Sequence, residues 1–205
     1  IYEDVAVTRM VEMEENTLFT GRIHEYLWPF RYPTKNFSDF VHHYGYAYSD
    51  ENAKRKHAER NIRPLLELVQ EEPKQPRWAA QLAQEYFAIN EFERAVDVCK
   101  NSLERMKKCK ITIDDGIQMG AVYGFLLIAL EAMQKYRDEE EWLKTALTES
   151  YMPKATRAFF YYAGVRLYSK TKEYEKCAHY LEKYVASAKK MKDSVDVIAT
   201  DTVLI

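Results

Sequence analysis

The feature that most constrains this chain is a pair of apolar stripes flanking one tight turn, between Pro76 and Met106. Trp78, Leu82 and Tyr86 recur every four residues, which puts them on one face of a helix. Asn90 and Glu91 occupy the turn, and Phe92, Ala95, Cys99 and Leu103 form the stripe of a second helix. The small side chain of Ala95 lets two antiparallel helices approach closely, with Tyr86 and Phe92 packing around the contact. A single helical hairpin cannot bury its own stripe, so this segment demands neighbours of the same kind.

The Leu82-Ala83 pair, Tyr86, and then Phe92 and Ala95 after the turn resemble a tetratricopeptide repeat, with Ala83 where a glycine often follows the leucine. A second copy is expected to begin at Asp114, read as an N-cap, and to run through an unusually apolar helix to a turn near Tyr136. Its partner helix turns Trp142, Leu143, Ala146 and Leu147 inward. Gly116, Gly120 and Gly124 lie on one face and permit a close helix crossing. The third copy, residues 153–190, repeats the spacing of Tyr86, Phe92 and Ala95 as Tyr168, Tyr174 and Cys177. Phe92, Tyr136 and Tyr174 stand 44 and then 38 residues apart, longer than the usual period of about 34, so helices or loops are extended. The fold class expected is mainly α: a tetratricopeptide-like α-solenoid of about three helix pairs over 76–192, preceded by a short β-rich remnant. Residues 50–75 read as a connecting helix or a kinked pair, capped by Ser49 or Asp50 and broken or kinked at Pro64. Residues 193–205 read as a capping helix or tail.

Residues 1–49 have a different texture. DVAVTRMVEM alternates like a strand, LFTGRIHEYLW reads as a second and FSDFVHHYGYAY as a third, with the proline-containing WPFRYPTKN as a loop. Three strands cannot bury both faces of a sheet, so this piece must lean on other structure.

Composition narrows the function. A net charge of −2 and a pI near 6.3 argue against broad binding of nucleic acid or anionic membrane. No apolar run approaches the roughly 20 residues of a membrane span. Cys99, Cys109 and Cys177 are odd in number and lack metal-site spacing, which fits reduced thiols and a cytoplasmic location.

The order of residues before the repeats carries a second resemblance. Arg9, Gly21, His24, Glu25, His43, Gly45, Tyr46, Lys54, Arg60 and Asn61 follow one another as at the end of the catalytic domain in a bacterial branch of family-two glycosyltransferases with the GT-A fold. Tetratricopeptide repeats follow there too, so the resemblance spans the whole chain. It implies a divalent metal and a sugar nucleotide as cofactor and donor of the full-length enzyme, held by an acidic Asp-x-Asp-type motif. The first 50 residues contain no such motif, so this chain is expected to be the C-terminal part of a longer enzyme, binding no cofactor and unable to transfer sugar alone.

The resemblance assigns Glu25 as a general base on the acceptor hydroxyl and His24 as its orienting partner or a phosphate contact. His43 is assigned to metal or diphosphate; neighbouring His42 faces the opposite way on a strand. Each has a plain alternative as a structural strand residue. Glu3-Asp4 reads better as a surface pair, and Lys54, Arg55, Lys56, Arg60 and Arg63 as a solvated helix face. His57 in the connecting segment and His179 in the repeats read as surface or rim residues. Outward Tyr161 and Arg166 are candidates to line a concave groove for a peptide or glycan. The expected partners are a protein, peptide or glycan acceptor, with self-association through an exposed solenoid end. The competing reading is a free-standing repeat adaptor with no enzymatic role.

Overall fold

In the computed structural model, the described residues are 18–20, 22–23, 26–28 and 50–192. They form two short strands and seven helices, so the described chain is mainly α. The chain divides into two compact units, Ile1–Lys54 and Arg55–Ile205.

In the first unit, β1 (Leu18–Thr20) pairs antiparallel with β2 (Tyr26–Trp28), Leu18 opposite Trp28 and Thr20 opposite Tyr26. The single strand expected across LFTGRIHEYLW is therefore corrected to two. β1 ends at Thr20 and β2 begins at Tyr26, a separation common in hairpins. The strands expected at 4–13 and 37–48 lie outside the described residues, as does the 193–205 tail.

Helix α1 (Glu51–Glu71) starts where Asp50 accepts the Ala53 N–H at 2.8 Å, as an N-cap should. Pro64 lies inside α1 and does not break it. A proline removes one donor, and here Ala58, Ile62, Leu65 and Leu68 are buried on both sides of it at helical spacing. That burial outweighs the lost bond, since each fully buried aliphatic side chain contributes about 1.5–3 kcal/mol. Of the two alternatives expected here, a connecting helix or a kinked pair, the structure has the single connecting helix.

Three helical hairpins follow: α2 (Pro76–Ala88) with α3 (Phe92–Met106), α4 (Ile113–Ala132) with α5 (Tyr136–Thr148), and α6 (Lys154–Lys170) with α7 (Tyr174–Lys192). Their turns are built alike. Asn90, Gln134 and Lys172 take positive φ of 62°, 57° and 62°. In each turn the next residue's N–H reaches back five positions, from Glu91 to Tyr86, Lys135 to Leu130 and Glu173 to Tyr168. The positive-φ residue itself donates three positions back, to Phe87, Glu131 and Ser169. These are Schellman closures, which satisfy the last carbonyls of α2, α4 and α6. The shared turn fixes a common register, in which Tyr86, Leu130 and Tyr168 are equivalent and all three are buried.

The first helices of the hairpins touch in succession, α2 against α4 and α4 against α6, while α3 packs on α4 and α5 on α6. Among the described residues no comparable contact links α3, α5 and α7 to one another. Close approach is bought with small residues. A Cβ on Gly120 of α4 would stand 2.5 Å from the Thr156 methyl of α6, and one on Gly116 2.7 Å from the Tyr151 carbonyl oxygen. The N-cap of α4 is Thr112, not Asp114 as expected. Thr112 and Asp115 form a reciprocal capping box, which satisfies two backbone donors where Asp114 would satisfy one. Residues 115–132 of α4 are long and apolar enough for a membrane span by composition, with 61% of them buried inside the fold.

Candidate functional site

Glu25, His24 and His43 all lie outside the described residues. Among the described residues no group of three or more His, Cys, Asp and Glu side chains could hold a metal. Arg60 and His57 contact one another at 3.3 Å on α1, and Asn61 donates to Glu85 of α2 at 2.7 Å. Asn61 is buried, and burial raises the Glu85 carboxyl above its ordinary value, so this pair ties α1 to α2. Arg55 similarly reaches Glu91 at 2.9 Å. Part of the basic cluster is thus structural rather than simply solvated.

Tyr161 and Arg166 part company. Five residues apart on α6, they are separated by more than a quarter turn. Tyr161 leans on α7, its ring 6.3 Å from that of Tyr180 and under the Lys183 ammonium at 5.7 Å. Arg166 instead joins a small cavity at the meeting of α4, α5 and α6, with Tyr162 and Phe159 beside it.

That cavity contains the most unusual chemistry in the described chain. Glu131 of α4 is 6% exposed and pairs with Arg166 at 2.7 Å and Lys170 at 2.5 Å. Glu139 of α5 is 1% exposed, and its Oε2 has no hydrogen-bond partner. Burial and then the nearby Glu131 push the Glu139 carboxyl up to about 8, against the weaker pull of Lys170 and Arg166. The free space is about 10 Å³, roughly what one water needs. In the common register Glu139 stands where Ala95 and Cys177 stand in the other hairpins. That break in a small-residue position was the available sequence signal, masked by the acidic run Asp138-Glu139-Glu140-Glu141.

A roomier pocket of about 260 Å³ opens between the C-terminal end of α3, α4 and the α5–α6 connection. Leu103, Met106 and Met119 give it an apolar wall, and Tyr123, Glu149 and Tyr151 a polar one. Tyr123 donates to Glu149 at 3.3 Å, and burial pushes the Tyr151 phenol up to about 12. The polar wall is held from behind by Arg157, whose guanidinium donates to the carbonyls of Leu147, Glu149 and Met152. Both phenols stay protonated donors at neutral pH, so the wall offers a carboxylate flanked by hydroxyls to a polar ligand group.

No protein-family profile and no solved structure matches the chain. Two curated proteins do, each 31% identical over 113 residues: the SPbeta prophage-derived glycosyltransferase SunS of Bacillus subtilis (strain 168) and glycosyltransferase SunS of Bacillus phage SPbeta. The match takes in 53% of this chain and 26% of each relative, so the aligned region spans about a quarter of their length. About half of this chain is therefore related in sequence to a glycosyltransferase region.

Proposed function

We propose that this chain is the C-terminal region of a bacterial, cytoplasmic glycosyltransferase of the GT-A type, in which the helical unit recognises a protein, peptide or glycan acceptor. The observation that carries the reading is the 31% identity over 113 residues to a named glycosyltransferase. The repeated turns at Asn90, Gln134 and Lys172 and the α2–α4–α6 row support a tetratricopeptide-like α-solenoid. A row whose members touch has the tighter radius, so α2, α4 and α6 would line the concave side. Arg166 and Tyr162, and the Glu149 pocket, are the surfaces we assign to the acceptor; Tyr161 serves through its packing on α7. Helix α4 acts as a core helix rather than a span, because α2, α3, α5 and α6 all pack on it.

In this reading the chain transfers no sugar by itself. Nucleotide and divalent metal are held mainly by other parts of the enzyme, and from this chain Glu25 acts as base on the acceptor, with His24 orienting it or touching phosphate and His43 touching metal or diphosphate. The polypeptide of the complete gene, with labelled sugar nucleotides and manganese, separates donor from acceptor functions. Removing residues 76–192 is expected to leave donor hydrolysis and abolish transfer. Transfer by the 205-residue chain alone would refute its inactivity. A complete gene product that neither hydrolyses nor transfers sugar, yet captures a protein partner, would make the chain a free-standing adaptor.

A further inference from the structure

The Glu149 pocket has two walls of opposite character, and the charge on one of them is unanswered. Glu149 caps the end of α5, where the backbone turns extended at φ −67° and ψ 117°. Its half-buried carboxylate accepts the Tyr123 hydroxyl at 3.3 Å, and Tyr151 stands in the same wall. That wall is fixed in place, because the Tyr151 carbonyl rides directly on Gly116 of α4, 2.7 Å from where a Cβ would lie. The two cations at this site are spent on other groups. Arg157 gives its guanidinium to the carbonyls of Leu147, Glu149 and Met152, and Lys107 on the rim pairs with Glu104 at 2.5 Å. Among the described residues no lysine, arginine or histidine pairs with the Glu149 carboxylate. The opposite wall of Leu103, Met106 and Met119 is apolar. The free space of about 260 Å³ falls just below the roughly 300–1,000 Å³ of sites for drug-sized ligands, and suits one long side chain.

Resting on the reading that the helical unit recognises an acceptor, we infer that this pocket seats a lysine or arginine side chain of the polypeptide bound there. An apolar wall beside a carboxylate is what such a side chain needs, with its methylene stem on one and its charged head on the other. The phenol oxygens of Tyr123 and Tyr151 keep free lone pairs after donating, so with Glu149 they offer acceptors to the N–H groups of an ammonium or guanidinium. Helix α3 ends on the wall at Met106, and the C-terminal end of a helix favours a cation. The opposing N-terminus of α4 is already answered by its Thr112–Asp115 box. Other occupants fit less well. An anion would meet Glu149, and an apolar group would bury its carboxylate without a counter-charge. A sugar ring would set hydroxyls against Leu103, Met106 and Met119 with no partner.

Methionine-methyl NMR on the 205-residue chain reads occupancy, because Met106 and Met119 are both buried and both line the pocket. Their signals are assigned through Met106→Leu and Met119→Leu. Nα-acetyl-lysine N-methylamide should shift both to saturation, with a dissociation constant on the order of 1 mM, and the arginine analogue should do the same. The norleucine analogue, which keeps the stem and lacks the ammonium, should bind at least about tenfold more weakly. Glu149→Gln should weaken the lysine probe about tenfold, and Tyr151→Phe about threefold, in variants whose thermal midpoints show them folded. The comparison of lysine with norleucine needs no variant. Equal binding of those two probes, saturation by neither cation, or a lysine probe indifferent to Glu149→Gln overturns the inference. So does N-acetylglucosamine saturating the two methyls in place of the cations, or n-butylamine binding where the blocked lysine does not. Sugar transfer by the complete gene product is a separate readout: its absence counts against the glycosyltransferase reading alone, since the probe titrations do not depend on it.

Discussion

Glu139 and Glu140 are consecutive in α5, yet their carboxyls are driven in opposite directions, one up to about 8 and the other down to about 2. A helix turns about 100° per residue, which is enough to send Glu139 into the cavity with Glu131 and Glu140 toward α6 and α7. There Glu140 accepts from Lys144 at 2.8 Å, from the Tyr168 hydroxyl at 3.0 Å and from Lys176 at 3.2 Å. One helix end thus holds a neutral acid and an ion beside each other.

Glu139 makes stability fall as pH rises. Its proton is retained in the folded state up to about 8 and lost from the unfolded chain near the ordinary value of 4.5. Between those limits the folded state binds the extra proton, so stability declines by up to about 1.4 kcal/mol per pH unit from this group. Above about 8 the contribution is level. Glu139→Gln keeps the shape and removes the titration. Thermal melts from pH 5 to 9 should show the variant gaining on the parent as pH rises through this window. Parallel curves would mean that Glu139 is ionised in the folded state.

Glu140 works at the other end of the scale. The Lys144 hydrogen bond, followed by those of Tyr168 and Lys176, holds its folded-state value low against a smaller burial penalty. Its contribution is fully present above the unfolded value of 4.5 and is lost as pH falls through about 2. Glu140→Gln should cost about 1–2 kcal/mol at pH 7, the range of a charged hydrogen-bond network, and progressively less below pH 4. Denaturant titrations at pH 7 and pH 3 measure the difference. An equal cost at both would assign the loss to packing instead of charge.

The three turns predict stabilising substitutions. Gln134 and Lys172 hold the left-handed conformation that costs an ordinary L-residue about 1–2 kcal/mol, and glycine adopts it freely. Part of that gain is returned because glycine loses more entropy on folding. Gln134→Gly and Lys172→Gly should each raise stability by about 0.5–1 kcal/mol, and Asn90→Gly by less, since asparagine tolerates this region. Urea unfolding midpoints report the order. A larger gain at Asn90 than at Lys172 would break the argument.

The hairpins were legible in the sequence because their cues are local. Tyr86, Phe92 and Ala95, repeated as Tyr168, Tyr174 and Cys177, need only spacing to be read, and the buried set agrees at Tyr86, Ala95 and Tyr168. Pro64 left a break or kink open because proline's penalty is local, whereas the burial of Leu65 and Leu68 that overrides it is tertiary. The Glu131–Glu139 pair was invisible for the same reason. Its members come from α4 and α5, its counter-charges from α6, and nothing in an acidic run says which glutamate turns inward. Arg166 was singled out, but its acid partner is 35 positions away in sequence.

Gly164 gives the sharpest packing test. A Cβ there would stand 2.1 Å from one carbon of the Tyr180 ring and 2.5 Å from the next, so α6 and α7 are as close as a glycine and a flat ring allow. Tyr180 has little room to retreat, its ring centroid lying 5.1 Å from that of Tyr168 and 6.3 Å from that of Tyr161. Helix propensity alone would favour alanine at this mid-helix site by about 1 kcal/mol. Overpacking opposes it by about 1–3 kcal/mol, and the ring contact puts Gly164 at the upper end. Gly164→Ala should therefore destabilise the chain by about 1–2 kcal/mol net, and pairing it with Tyr180→Leu should recover part of the loss. If Gly164→Ala is neutral while Gly120→Ala, which meets the branched Thr156, is costly, the α6–α7 contact is looser than the α4–α6 contact.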